Sequence, residues 1–188
     1  MSIVILLVLA AVAGIYAGRR EGDPAPPNRF AWARLIAYWV FTVAVAYELI
    51  AGAWWDLLDI KFIRVLDARL GYPPYFGYIE GAPRIPFALA LLLPRLPRLK
   101  EWGYAWTFFT YGGIAASEFL VGDDLWVRTA IFCGGVLVSW ALRPPSRKLA
   151  DSAALTRPSV VAWSVPVMVT AAMLAVAYVD VPAGGPPP

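Results

Sequence analysis

The chain has 188 residues, 60% of them hydrophobic and 15% charged, and a formal net charge of +3. A soluble domain carries nearer a quarter charged residues, so this composition, with its mean hydropathy of +0.63, excludes an ordinary soluble globule. It has no histidine and a single cysteine, Cys133. That excludes an internal disulfide and removes the ligands on which haem, iron–sulfur, zinc and copper sites mainly draw.

Long unbroken apolar runs, rather than alternation with a period of two, select helices as the membrane-crossing element. The first run is Ser2–Gly18, closed by Arg19 and Arg20. It lacks a basic leader and a good signal-peptidase site, so it reads as a short membrane helix, with a cleaved or loosely held segment as the alternative. The second span is Leu35–Trp55. Asp56–Leu70 follows, with Leu58, Phe62, Val65, Leu66 and Leu70 on one face and Asp56, Asp59, Arg64 and Asp67 largely opposite; Arg69 spoils the apolar face. This pattern predicts a helix lying on the interface. Gly71-Tyr72-Pro73-Pro74 ends it and turns the chain into the bilayer.

The uncharged run Ile85–Pro94 is too short to cross about 30 Å at a rise of 1.5 Å per residue. Extended back to Tyr75 it becomes a third span that takes in Glu80 and Arg84. The fourth, fifth and sixth spans are Trp102–Val121, Leu125–Leu142 and Ser159–Val179, and the tail Pro182–Pro188 has no means of packing itself.

Charge fixes the orientation. The stretches on one side hold Arg19, Arg20, Arg29, Arg34, Arg95, Arg98, Lys100, Arg143, Arg147, Lys148 and Arg157. The other side, with the spans, holds only Lys61, Arg64, Arg69, Arg84 and Arg128. The positive-inside pattern then predicts six spans with both termini outside. No basic stripe suggests nucleic acid.

Four ionisable residues lie inside these spans: Glu48, Glu80, Arg84 and Glu118. A charge at mid-bilayer costs about 2.5–3.5 kcal/mol on insertion scales, so such residues are expected to be paired or functional. Counted along the helices, Glu48 lies about 10 Å and Arg84 about 13 Å from the outer ends of their spans. Similar depth predicts an interhelical Glu48–Arg84 pair. Glu80, at i,i+4 from Arg84, completes the shell, and Glu118 lines the mouth. Thr107, Tyr111 and Glu118 share one face of the fourth span, broadened by Thr110 and Ser117. A polar pocket open to the outer leaflet could take a quinol headgroup, relay a proton or grip a partner; equally, the cluster could be a helix-locking ion pair with no ligand. The polar stripe reads first as interhelical hydrogen bonding. Gly112-Gly113 and Gly134-Gly135, with Ala130 and Ser139, permit close helix approach. Trp54, Trp55, Trp102, Tyr104 and Trp126 sit at span ends as an aromatic belt. Trp39, Trp106, Trp140 and Trp163 read as packing, and Cys133 as an inert buried thiol.

Residues 31–143 resemble the DoxX-like family of small bacterial membrane proteins. Tyr47-Glu48-Leu49 with Gly52-x-x-Trp55-Asp56-Leu57-Leu58 is similar to that family's first helix, and Arg69-Leu70-Gly71-Tyr72-Pro73 to its outer loop. Gly81-Ala82-Pro83-Arg84 stands where relatives carry Gly-x-x-Lys. Leu89–Pro94 and Pro97–Ala105 are similar to its second helix, inner turn and third helix. Ala115-Ala116-Ser117-Glu118 and Gly122-Asp123 are similar to the outer end of that third helix. The resemblance implies a four-helix membrane bundle built from the second to fifth spans; the spans read at Ser2–Gly18 and Ser159–Val179 depart from it as an additional transmembrane helix at each end. The family takes its name from a small subunit of an archaeal thiosulfate:quinone oxidoreductase or terminal quinol oxidase system. Relatives often carry a histidine near the position of Glu118; here there is none, Glu80 is an extra charge, and Pro83 and Pro86 are expected to interrupt the second core helix.

The organisation expected is therefore an N-terminal helix and basic inner loop (1–30), a four-helix core (31–143) with an outer interfacial helix (56–70), an inner loop and C-terminal helix (144–180), and a loose tail (181–188). The function expected is a non-catalytic accessory, structural or assembly subunit of a larger complex of the bacterial inner membrane, linked to redox or energy metabolism. It would have no cofactor of its own, and its partners would be the bilayer and other membrane subunits. The alternatives are a quinone-binding redox accessory using Glu48, Glu80, Arg84, Tyr111 and Glu118, and a carrier of lipid or small solutes.

Overall fold

In a computed structural model of the chain, residues 26–93 and 96–149 are described, together with positions 8, 12, 15, 16, 168, 170, 171 and 173. Met1–Leu149 forms one compact unit and Ala150–Pro188 a second. Among the described residues the regular elements are all helices, joined by turns, with no strand. Five α-helices follow in order: α1 (Arg29–Leu57), α2 (Lys61–Leu70), α3 (Phe76–Leu92), α4 (Pro97–Leu120) and α5 (Leu125–Leu142), then a 3₁₀ turn, Pro145–Arg147. Two of them, α1 and α5, are long and apolar enough to cross a membrane. The spans expected at Ser2–Gly18 and Ser159–Val179 lie outside the described residues except for scattered helical positions such as Val8, Val12, Met168 and Met173, and the tail lies wholly outside them.

Asn28 starts α1 by accepting the amide of Ala31 at 3.0 Å, which satisfies one of the free donors at a helix start. With 29 residues α1 is about 43 Å long, more than a bilayer core requires. It does not stop at Trp55 as expected. It continues to Leu57, so Asp56 belongs to the first long helix and not to the interfacial one. The chain then turns through Asp59, whose φ of 47° is left-handed, and α2 begins only at Lys61. Gly71 closes α2 in the left-handed conformation, φ 79°, where a β-carbon would be strained.

α3 runs unbroken through Pro83 and Pro86, which corrects the expected interruption. Each proline removes one backbone donor, leaving the carbonyls of Ile79 and Ala82 without their usual helical partners, yet packing on both flanks keeps the helix whole. α1 packs on α3 and α5, and α4 on the same two, so the four long helices close into a ring. Val45, Ala46, Leu49, Ala88, Leu91, Tyr104, Tyr111, Cys133 and Val136 form its core. A smaller cluster of Tyr38, Trp39 and Val43 receives Ile15, Leu35 and Leu142.

Polar links cross the interior at the level of Ser139. Its hydroxyl meets those of Thr42 and Tyr104 at 2.7 Å each, tying α1, α4 and α5 together. At the basic end, the Lys100 ammonium donates to the carbonyls of Ala90 and Leu91, at 2.5 and 3.0 Å, and to that of Leu93. Arg147 donates to Leu92 at 3.0 Å and lies 4.5 Å over the Trp39 ring. Both cations are fully buried. They neutralise the carbonyl end of α3, where the helix dipole is negative. Arg143 pairs with Glu101 at 2.6 Å, and Trp140 donates to the same carboxylate at 2.9 Å.

Candidate functional site

The end of the ring that carries α2 holds a second set of buried charges, this one containing the acids. Arg84, on α3, pairs with Asp56 on α1 at 3.1 Å and with Glu80 one turn away on its own helix. The three side chains are 7%, 4% and 10% exposed. The Glu80–Arg84 link is the expected one; the expected Glu48–Arg84 pair is not formed. Because α1 extends to Leu57, Asp56 lies two turns beyond Glu48 and reaches the guanidinium instead. Glu48 sits half-buried against a neighbouring cavity of about 90 Å³, which it shares with Tyr111, Arg128, Thr129 and Phe132.

Glycines make the room for this ion cluster. A β-carbon on Gly52 would lie 2.0 Å from Nη1 of Arg84. One on Gly81 would lie 2.8 Å from Cβ of Asp56, and one on Gly77 would lie 3.3 Å from the Asp56 carbonyl oxygen. Gly77 and Gly81, four residues apart on α3, therefore let α1 approach closely enough for Asp56 to meet Arg84. Arg84 also lies 5.1 Å over the ring of Tyr111, a cation–π contact that adds to its hold.

A cavity of about 60 Å³ adjoins the cluster, with Glu48, Asp56, Glu80, Arg84, Tyr111 and Glu118 in its wall and Phe62, Ile63 and Leu66 of α2 beside it. Thus all five expected site residues line a single space. Glu118 is not at its mouth, however. It is 2% exposed, and α2 covers the cavity through Phe62, Ile63 and Leu66. The polar stripe of α4 faces inward as read: Thr107, Tyr111 and Glu118 are all buried, and Ser117 meets the Tyr72 hydroxyl at 2.7 Å. Among the described residues, the Tyr111 hydroxyl and Oε2 of Glu118 have no hydrogen-bond partner. Polar atoms left bare in a polar cavity of this size are what ordered water satisfies.

Arg69 anchors the cover. It spoils the apolar face of α2 because it pairs with Asp123 at 2.6 Å. The amide of Leu125 and the Arg69 guanidinium hold the Asp123 carboxyl below its usual range. Burial, followed by repulsion from Glu80, pushes the Asp67 carboxyl up, against the pull of Arg84.

Sequence reasoning missed Asp56, Lys100 and Arg147. Asp56 carried a signal: Gly52 lies one turn before it, and the Gly77–Gly81 pair marks a helix able to come close. Lys100 and Arg147 carried none beyond their place in basic stretches.

Among curated proteins and among solved structures, none matches this chain significantly. A profile of the DoxX-like family matches residues 40–142, more than half of the 188 residues and almost the whole of the ring from mid-α1 to the end of α5. On that match, the chain belongs to the DoxX-like family.

Proposed function

We propose that this protein is a non-catalytic accessory or assembly subunit of a larger complex in the bacterial inner membrane, crossing the bilayer six times with both termini outside. The observation that carries this reading is the outward face of α4. Trp102 and Phe109 project there, 70% and 75% exposed, and β-carbons added to Gly112 or Gly113 would meet nothing within 4 Å. Large aromatic knobs beside open, small-residue holes suit close packing against a helix from another chain. The buried cluster fits the same reading. Arg84 is neutralised inside the chain by Asp56 and Glu80, so it acts as a lock between α1 and α3 and leaves the outer faces to make contacts. Cysteines placed at Gly113 and at Ile131, on the exposed side of α5, test the face: cross-linking to another membrane protein is expected at Gly113 in native membranes. Adducts at Ile131 alone would remove the support.

A second reading, a quinone-binding redox accessory, is favoured by the bare Tyr111 hydroxyl and Glu118 Oε2. Its difficulty is volume. A cavity of about 150 Å³ admits benzene, and the space here is about 60 Å³, so a quinone ring enters only if α2 lifts. Full quinone-linked activity in membranes bearing Tyr111→Phe and Glu118→Gln would dispose of this second reading.

A further inference from the structure

At the end of the bundle opposite the ion cluster, a cleft of about 510 Å³ opens between the start of α1 and the end of α5. Its volume falls in the range of ligand sites. Arg34, Arg143 and Lys148 line it, and its apolar walls come from Leu35, Leu142 and Pro144. No acid lines it among the described residues. Arg143 is committed to Glu101, whereas Arg34 and Lys148 are exposed and project from different segments toward one space.

We propose that this cleft binds the phosphodiester headgroup of an anionic phospholipid. The proposal rests on the membrane reading above, which puts this end in the cytoplasmic leaflet, where anionic lipids meet basic residues. Arg34 offers a planar fork that grips a phosphate through two donors, and Lys148 supplies a second positive charge from the far wall. Leu35 and Leu142 give the first methylenes of the acyl chains an apolar surface. A soluble anion would gain nothing from those walls, so the site commits to a lipid. The lipid would bridge α1 and the segment after α5, closing the bundle at an end where packing alone leaves a gap.

The test uses the full chain in nanodiscs holding equal amounts of phosphatidylglycerol and phosphatidylcholine, with bound lipid counted by native mass spectrometry. The wild type is expected to retain phosphatidylglycerol preferentially. Each basic residue near a membrane surface contributes about fivefold, so Arg34→Gln with Lys148→Gln should lower the preference by roughly thirtyfold. Lys61→Gln with Arg64→Gln, at the other end, should leave it unchanged. Equal retention of the two lipids by the wild type, full preference in the double variant, or displacement of lipid by inorganic phosphate would each overturn the proposal. A chain found outside the membrane fraction would instead overturn the membrane reading, and a chain recovered within a complex but lacking lipid preference would overturn only the lipid site.

Discussion

Replacing Arg84 with Met removes the cation that pairs with two carboxylates, on Asp56 and Glu80, which are 4% and 10% exposed. The methionine fills much of the same volume, so packing changes little and the main effect is electrostatic. Breaking a buried pair by removing one partner costs about 3–5 kcal/mol, because the remaining charge is stranded. For a chain of this size each kcal/mol lowers the melting temperature by about 2–4 °C. The variant should therefore melt roughly 6–20 °C below the wild type when tryptophan fluorescence is followed in detergent. The reasoning also predicts a rescue. Arg84→Met combined with Asp56→Asn and Glu80→Gln strands no charge, and it should recover most of the loss. A single variant that melts within about 2 °C of the wild type, or a triple variant no better than the single, would refute the claim that the cluster is an ion-paired lock.

Gly52→Ala places a β-carbon 2.0 Å from Arg84 Nη1 and should cost about 1–3 kcal/mol by overpacking, whereas Gly112→Ala, with open space around it, should be neutral or stabilising by up to about 1 kcal/mol; thermal melts in the reverse order would contradict the packing assigned to α1 and α3. Lys100→Met strips donors from three carbonyls at the end of α3 and should destabilise by about 1–3 kcal/mol, with Arg147 limiting the damage; an unchanged chemical-denaturation midpoint would show that Lys100 is not a cap. The Asp123 carboxyl is held below its ordinary 3.8, so its grip on Arg69 is complete above that value and fades as pH falls through the lower folded-state value; a spin label at Val65 should gain mobility only in that acidic window, and loosening at neutral pH would count against the pair. Asp67 is shifted upward, so its ionisation opposes docking of α2 as pH rises through the folded-state value; Asp67→Asn should immobilise the same label further at neutral pH and have no effect below 3.8, the ordinary value.

The core helices were legible because apolar runs of span length, bounded by charge and turn residues, leave a chain in lipid few alternatives. Leu125–Leu142 was read at its observed bounds. The Glu80–Arg84 contact was equally visible, since i,i+4 spacing on one helix brings two side chains together whatever surrounds it. The interhelical partner was not. Depth counting placed Glu48 beside Arg84, but the choice among Glu48, Asp56 and Glu118 depends on helix rotation and on where α1 ends, and Asp59 sets that end through a left-handed turn. Prolines misled for a related reason: Pro83 and Pro86 break a helix that stands alone, whereas flanking contacts sustain α3 through both. The cap made by Lys100 and Arg147 joins residues far apart in the chain, and no local pattern announces a cation that buries itself against carbonyls.

The central claim, that this protein serves as a subunit docked through α4, is tested most directly by native mass spectrometry of the protein released from its own membranes under mild conditions. The account predicts release within a larger assembly, and loss of that assembly when Gly113 is replaced by Leu in a chain that still reaches the membrane. Release of the wild type as a homogeneous lone monomer would contradict it.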